Sequence, residues 1–149
     1  MKLKIPPPFW LLLSAGLMWL ISRYTPQAEI LHSLRWLALL PLMIAIGLIA
    51  AGIAVFRQAS TTVHPQHPEH TRIVVDNGIF RFSRNPMYLG MVLILAAWAL
   101  WLAVPFAWLG VPLFVLVITR WQIVPEEEIL LNKFGEPYRL YCQKVRRWF

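Results

Sequence analysis

The feature that most constrains this chain is the length of its uncharged apolar segments. Trp36 to Phe56 contains no charged residue and is followed directly by Arg57. About 20 apolar residues cross the hydrocarbon core of a bilayer as a helix, so this segment is long enough for one crossing. Gly47 and Gly52 within it are small residues at which a second helix can approach closely. We interpret 36–56 as a membrane span.

A second apolar region is roughly twice as long as one crossing. Between Pro86 and Val124 its only charge is Arg120, which predicts a helical hairpin with spans at 86–104 and 106–123. Pro105 marks the turn, because proline removes a backbone donor and ends or kinks a helix. Aromatic residues collect near membrane–water boundaries, and three tryptophans flank this turn: Trp98, Trp101 and Trp108.

The N-terminal apolar segment admits two interpretations. Phe9 to Ile21 is uncharged and follows two lysines and three prolines, which fits a short span over 6–22. A charged start and a short apolar run are also typical of a signal peptide. No small-residue cleavage site follows, since the chain continues with Ser22, Arg23 and Tyr24. We therefore expect a span, and four spans in all.

Composition agrees with a membrane protein. The 149 residues are 58% hydrophobic and 14% charged, whereas soluble domains have about 45–50% apolar and about 25% charged residues. This excludes a disordered chain and an ordinary soluble enzyme, and the single cysteine, Cys142, excludes a disulfide scaffold. The sequence predicts an all-α integral membrane fold in one domain, with a loop at 57–85 and a C-terminal helical segment at 124–149.

The basic residues predict the orientation. Lys and Arg are concentrated on short cytoplasmic segments of membrane proteins. With the N-terminus inside, only Arg23 and Arg35 of the 14 basic residues lie outside. Both termini, the 57–85 loop and the C-terminal segment 124–149 should therefore face the cytoplasm, in the inner membrane. The basic residues are spread over every inner segment, which argues against nucleic acid as a partner. The inner twelve are Lys2, Lys4, Arg57, Arg72, Arg81, Arg84, Arg120, Lys133, Arg139, Lys144, Arg146 and Arg147.

Three histidines in the loop suggest a metal site. His64, His67 and His70 recur at every third position. Pro65 and Pro68 prevent a regular helix, so the rings would not share one helix face. No cysteine is nearby and the spacing lacks the usual zinc ligand pairs. We therefore predict no metal, and a solvated loop over the membrane surface.

The start of the third span has the pattern of an anion site. Asn85 is a suitable N-cap and Pro86 suits the first helical turn. Backbone N–H groups are exposed at such a start, and Arg84 stands beside them, so a carboxylate or phosphate can dock there. The alternative is that Arg81 and Arg84 anchor the helix at lipid head groups. The residues alone leave both open.

Acidic residues collect where the fourth span ends. Four of the seven acids lie between 126 and 136. Pro125 followed by three glutamates predicts a new helix start, and Gly135 should end that helix before a second, short amphipathic one. The acids either complement the helix dipole or bind a cation, and their clustering favours a role beyond solubility.

Taken together, these stretches resemble the isoprenylcysteine carboxyl methyltransferases and the related phospholipid N-methyltransferases. The resemblance covers 72–149 and rests on three motifs in order: Gly78 to Gly90 (GIFRFSRNPMYLG), Glu126-Glu127, and Phe134 to Tyr141 (FGEPYRLY), ending in Val145-Arg146-Arg147-Trp148. An apolar hairpin separates the first two motifs, as in that family.

The resemblance implies an enzyme that binds S-adenosylmethionine in a cytoplasmic pocket without a Rossmann domain. Its acceptor would be lipophilic, an isoprenylcysteine-like carboxylate or a lipid head group, entering from the bilayer. We expect Glu126 or Glu127 on the cofactor's ammonium group, with Tyr88 and the 85–90 backbone holding the rest. The full expected cofactor site is Val74, Val75, Phe80, Arg84, Asn85, Pro86, Met87, Tyr88, Leu89, Gly90, Glu126 and Glu127.

The chain departs from the family pattern at two positions. Asn85 stands where some members have a histidine, and Gln122 occupies the turn in which some members carry an acceptor-side arginine. Arg120 lies further back and is a weak catalytic candidate. An amine acceptor would need a base, for which His64 or His67 is the nearest candidate. Two alternatives remain: a non-enzymatic scaffold or transport protein, and a lipid-modifying enzyme of the same fold that uses another cofactor.

Overall fold

The computed structural model describes residues 5–26, 32–58 and 74–149. Within these ranges the chain is helical and contains no β-strand, which confirms the predicted all-α class. The helices are α1 Pro7–Tyr24, α2 Leu39–Gln58, α3 Pro86–Leu102, α4 Gly110–Ile118, α5 Val124–Phe134 and α6 Glu136–Lys144. Short 3₁₀ helices precede three of them: Arg35–Ala38 before α2, Gly78–Arg81 before α3 and Pro105–Leu109 before α4.

Two continuous helices among the described residues are long and apolar enough to cross a membrane. They are Arg35–Gln58, which contains α2, and Pro105–Phe134, which contains α4 and α5. α3 is also apolar, but at 17 residues it is shorter. The predicted count of four spans stays a prediction.

α2 and α3 pack against each other as an antiparallel pair, and glycine permits their contact. A Cβ atom on Gly52 would lie 2.8 Å from Cγ of Met87, so only glycine fits without displacing that side chain. The expectation of a close helix approach is therefore confirmed for Gly52. It is wrong for Gly47 in the described part of the chain, where this residue is exposed and no atom lies within 4 Å of its Cβ position.

The hairpin turn lies where proline predicts it. α3 ends at Leu102, and Ala103 adopts the left-handed conformation with φ of 56°. The N–H of Ala103 donates to the carbonyl of Leu100 at 3.2 Å. Pro105 then begins the next helix. The predicted hairpin is confirmed, and α3 ends two residues before the expected boundary at 104.

Pro125 lies in the first turn of α5, as predicted, but α5 is not separated from the helix before it. The chain is helical without a break from Pro105 to Phe134. A proline inside a helix lacks an N–H donor and crowds the carbonyl four residues earlier, here that of Trp121. The turn Thr119–Ile123 immediately before it is a π-helix, whose wider ring relieves this conflict. As a consequence, Glu126 and Glu127 are joined rigidly to the apolar helix.

The core and the tail position the polar residues. Met18 of α1, Leu95 of α3 and Phe114 of α4 are fully buried in one cluster. Gly135, with φ of +62°, separates α5 from α6, as the sequence predicts, because a positive φ strains other residues. Trp148 then packs back against the core cluster, so residues 145–149, which we call the tail, are docked onto the bundle.

Candidate active site

The first turn of α3 and the first turn of α5 meet at one end of the bundle. Tyr88, 38 positions before Glu126 in the chain, donates its hydroxyl proton to Oε2 of that residue at 3.0 Å. The Tyr88 side chain is 5% exposed and Glu126 is half-buried. The structure thus brings together two residues that the family resemblance assigned to the cofactor site.

Gln122 is a third side chain beside Tyr88 and Glu126. It is 1% exposed and hydrogen-bonded to Tyr88. Its position, four residues before Glu126 on a helical path, places both side chains on the same face. Sequence reasoning gave Gln122 no positive role, because it treated this residue only as the replacement for an arginine.

Glu127 is held by two arginines, and we call Arg84, Glu127 and Arg147 the Glu127 clamp. Nη2 of Arg147 lies 2.7 Å from Oε2 and its Nε lies 3.1 Å from Oε1. Nη2 of Arg84 is 3.2 Å from Oε1. The side chains of Arg84 and Glu127 are 12% and 17% exposed, so water screens the Arg84 contact only weakly. Hydrogen bonds to Glu127 raise the pKa of the Arg147 guanidinium.

The same tail segment is tied to the start of α3 through its backbone. The carbonyl of Arg147 accepts from Nδ2 of Asn85 at 2.9 Å and from Oγ of Ser83 at 3.5 Å. The N–H of Arg84 donates to the carbonyl of Arg146 at 3.1 Å. Five contacts thus join the tail to 83–85 and Glu127: these three and the two from the Arg147 side chain.

The start of α3 keeps its predicted position but not its predicted capping bond. Asn85 is the N-cap residue and Pro86 begins the helix. Among the described residues no side chain caps this helix, and the Nδ2 group of Asn85 donates to the carbonyl of Arg147 in the tail. The N–H groups of Met87 and Tyr88 therefore lack a side-chain cap at the positive end of the helix dipole.

An aromatic cluster borders the clamp on the side of α6. Tyr138, Tyr141 and Val145 are buried together, with Val74 packed against them. The Tyr141 hydroxyl donates to the carbonyl of Phe80 at 2.8 Å. Burial raises the pKa of both tyrosine hydroxyls, so they remain protonated donors at neutral pH. Next to this cluster, Nη1 of Arg84 contacts Sγ of Cys142.

The other expected cofactor residues lie further from the glutamates or are used in packing. Phe80 stacks edge-on against Phe56 of α2, with ring centroids 5.1 Å apart. Met87 packs onto Gly52, and a Cβ on Gly90 would lie 2.6 Å from Cγ1 of Ile49. Val75 and Pro86 are buried and Leu89 is half-buried. Their contact with a cofactor stays a prediction.

The weak catalytic candidates are not part of this cluster. Arg120 is exposed in the π-helical turn. His64 lies outside the described residues, as do the other two histidines of the loop, His67 and His70. In the part of the chain that the structure describes, no group of three or more His, Cys, Asp or Glu side chains is arranged to hold a metal ion.

The two neighbouring glutamates differ in charge balance. Within the described ranges, the ion pairs at this site involve Glu127 and not Glu126. Glu126 therefore offers a half-buried carboxylate to a cation, close to a helix start that offers N–H donors to an anion. A zwitterionic ligand, which carries one positive and one negative group, matches both of these features.

The phospholipid methyltransferase family profile matches residues 34–137, more than half of the chain. The chain belongs to this family. Its members are membrane methyltransferases, and the apolar helices agree with that setting. The chain is also 60% identical over 62 residues to an uncharacterized protein of Haemophilus influenzae, covering 42% of this chain and 98% of that protein. No solved structure matches.

Proposed function

We propose that this membrane methyltransferase uses S-adenosylmethionine and transfers its methyl group to a lipophilic acceptor that reaches the site from the bilayer. The observation that carries the proposal is the half-buried Glu126 carboxylate, bonded to Tyr88 and outside the Glu127 clamp, beside the uncapped start of α3. A carboxylate that pairs with no cation among the described residues, next to N–H groups without a side-chain cap, suits an amino-acid moiety.

The residues present fit the two ends of that moiety. Glu126 would attract the ammonium group, and the N–H groups of Met87 and Tyr88 would bind the carboxylate at the helix start. Glu127 is already neutralised by Arg84 and Arg147, so its contribution is to position the tail. The sequence left Glu126 and Glu127 as alternatives, and the geometry favours Glu126.

When bound, the cofactor would supply the methyl group of its sulfonium, which would pass to the acceptor's oxygen or nitrogen and leave a neutral thioether. The chain's own contribution is alignment and exclusion of water, which account for most of such catalysis. A carboxylate acceptor is already ionised at neutral pH and needs no base. An amine acceptor must lose a proton, for which His64 and His67 stay the predicted candidates.

The proposed orientation places this end of the bundle at the cytoplasmic face of the inner membrane. Twelve of the 14 basic residues belong to the segments that this orientation puts inside, in agreement with the positive-inside rule. A water-soluble methyl donor made in the cytosol would then reach Glu126 directly, while the acceptor would enter from the lipid.

The test is equilibrium dialysis of radiolabelled S-adenosylmethionine against the full chain purified in detergent. We expect saturable binding that S-adenosylhomocysteine displaces, and binding about 30-fold weaker in Glu126→Gln, the loss of one charge-assisted contact of about 2 kcal/mol. Glu128→Gln is the matched control, because Glu128 is exposed on the same helix. Absence of binding by the wild type would contradict the proposal, and binding of a nicotinamide instead would favour the alternative lipid-modifying enzyme.

A further inference from the structure

Gln122 is a polar side chain in the interior of an apolar bundle. It is 1% exposed, and its neighbour Ile123 is fully buried. Burying an amide is unfavourable unless protein hydrogen bonds replace those to water, and methionine would fill a similar volume without that cost. The bond that Gln122 makes to Tyr88 is therefore the feature to explain.

The direction of that bond follows from the number of protons available. A tyrosine hydroxyl has one proton to donate, and its oxygen can also accept. The Tyr88 proton is directed at Oε2 of Glu126, 3.0 Å away. The bond with Gln122 must run the other way, so the amide Nε2 donates to the phenolic oxygen. We call Gln122, Tyr88 and Glu126, in that order, the donor chain.

The donor chain has a consequence for the carboxylate at its end. Because the amide N–H occupies one side of the Tyr88 oxygen, the hydroxyl proton is turned towards Glu126. Hydrogen bonds in series polarise one another, so the bond to the carboxylate is stronger than that of an isolated hydroxyl. Gln122 thereby fixes the direction of a carboxylate that it does not touch through its own donor.

The π-helical turn keeps the donor chain on the buried side of its helix. Four side chains recur at every fourth position along this helix: Phe114, Ile118, Gln122 and Glu126. Four residues of an α-helix turn by about 400°, so such a row drifts by about 40° per step and about 120° over three steps. Each residue of the π-helical turn rotates by less, which reduces the drift. Glu126 therefore still reaches Tyr88, which lies in the same cluster as Phe114 and Ile118.

We propose that Gln122 is a positioning residue for cofactor binding: it directs the Tyr88 hydroxyl at Glu126, which holds the Glu126 carboxylate in the direction that receives the ammonium group. This role rests on the proposed function, because it needs Glu126 as the ammonium ligand. π-Helical turns within α-helices frequently lie at functional sites, and here the turn contains Gln122 itself.

The test is a double-mutant cycle on Gln122 and Tyr88, in the full chain purified in detergent, with the dissociation constant of S-adenosylmethionine as the readout. We expect Gln122→Met to weaken binding about fivefold, since methionine has the length of glutamine but no donor. In the Tyr88→Phe background the same substitution should change the dissociation constant by less than about 1.5-fold, because the hydroxyl through which Gln122 acts is absent. Gln143→Met, at an exposed position of α6, is the matched control and should bind as the wild type does.

Thermal unfolding without ligand is a second readout, and it does not depend on the methyl donor. In Tyr88→Phe the buried amide has lost its hydroxyl partner, so Gln122→Met should change the unfolding temperature more favourably there than in the wild type. The double variant has apolar groups at both positions and should fold even if Gln122→Met alone does not. Its affinity can then still be compared with that of Tyr88→Phe.

The outcomes separate this inference from the proposed function. A further fivefold loss in the double variant, about 25-fold in all, would show that Gln122 acts independently of Tyr88 and would overturn the inference. Wild-type affinity in Gln122→Met, or equal effects of this substitution on unfolding in the two backgrounds, would also overturn it. Absence of S-adenosylmethionine binding by the wild type would instead contradict the proposed function, and with it the role of Gln122 in cofactor binding.

Discussion

Glu126 and Glu127 are adjacent in the chain and identical in type, yet they face different parts of the molecule. Successive residues of a helix point about 100° apart, so Glu126 is directed at Tyr88 while Glu127 is directed at the tail. The first is bonded to a neutral hydroxyl, and the second is paired with two guanidinium groups. A pair of like residues in a motif can therefore divide into a ligand-binding and a structural member.

The largest expected effect is on stability, from Glu127→Ala. Removal of this carboxylate leaves the largely buried Arg84 and the 37% exposed Arg147 facing each other without a counter-charge. We expect the free energy of unfolding to fall by about 2 kcal/mol, the size of a lost charge-assisted contact, because solvent screens the Arg147 contact and lowers the loss below that of a fully buried ion pair. Thermal unfolding in detergent measures it.

Glu128→Ala is the control for that measurement. Glu128 lies on the same helix and is exposed, so its removal should change the free energy of unfolding by less than about 0.5 kcal/mol. Equal losses in the two variants would show that the Glu127 clamp does not hold the tail.

The stabilisation that a bound ligand confers should distinguish the role of Glu126 from that of the Glu127 clamp. A ligand at 100 times its dissociation constant raises the free energy of unfolding by about 2.7 kcal/mol. If Glu126→Gln weakens S-adenosylmethionine binding about 30-fold, the same concentration raises it by only about 0.9 kcal/mol. Thermal unfolding with and without the ligand gives both values. If the ligand stabilised Glu126→Gln as much as the wild type, the ammonium group of the ligand would not be bound by Glu126.

Tyr88→Phe tests the support of Glu126 without altering the packing of the ring. Loss of the hydroxyl removes the hydrogen bond to Glu126 and the one with Gln122. We expect binding about 5-fold weaker, equivalent to about 1 kcal/mol. Tyr24→Phe is the control, since Tyr24 is 83% exposed at the end of α1. Equal dissociation constants for the Tyr88 variant and the wild type would exclude a role for this hydroxyl.

The smallest effect should come from Asn85→Ala, which loosens the tail without removing a charge. The lost bond joins the Asn85 amide to the carbonyl of Arg147, and we expect about 1 kcal/mol less protection of the tail. Carboxypeptidase digestion should then release Phe149 and Trp148 roughly fivefold faster. Asn132→Ala, at an exposed position of α5, should leave the rate unchanged, and equal rates in the two variants would contradict the docking.

Much of the fold could be predicted because the signals are local. Uncharged apolar runs predicted the long helices, Pro105 predicted the hairpin turn, and Gly135 predicted the break before α6. The continuity through Pro125 could not be predicted, since proline at that point is equally compatible with a helix start. Only the structure shows the π-helical turn before Pro125, which accommodates the missing donor and the bulk of the proline ring.

The candidate site was predictable in its members more than in their contacts. Arg84, Tyr88 and the two glutamates were expected, because the motifs of the resemblance contain them. Arg147 had no assigned role, although it supplies both strong contacts to Glu127. A signal was present in the acidic residues after the fourth span, which need counter-charges from the basic tail. The pairing depends on how α6 folds back, and that depends on tertiary packing.

The most direct measurement compares the dissociation constants of S-adenosylmethionine for Glu126→Gln and Glu127→Gln, by calorimetry at a temperature where both variants are folded. We expect binding about 30-fold weaker for Glu126→Gln, the cost of about 2 kcal/mol for a lost charge-assisted contact. For Glu127→Gln we expect a change in affinity of less than about threefold, together with the lower unfolding temperature of the two variants. The reverse order of affinities would contradict the division of roles between the two glutamates.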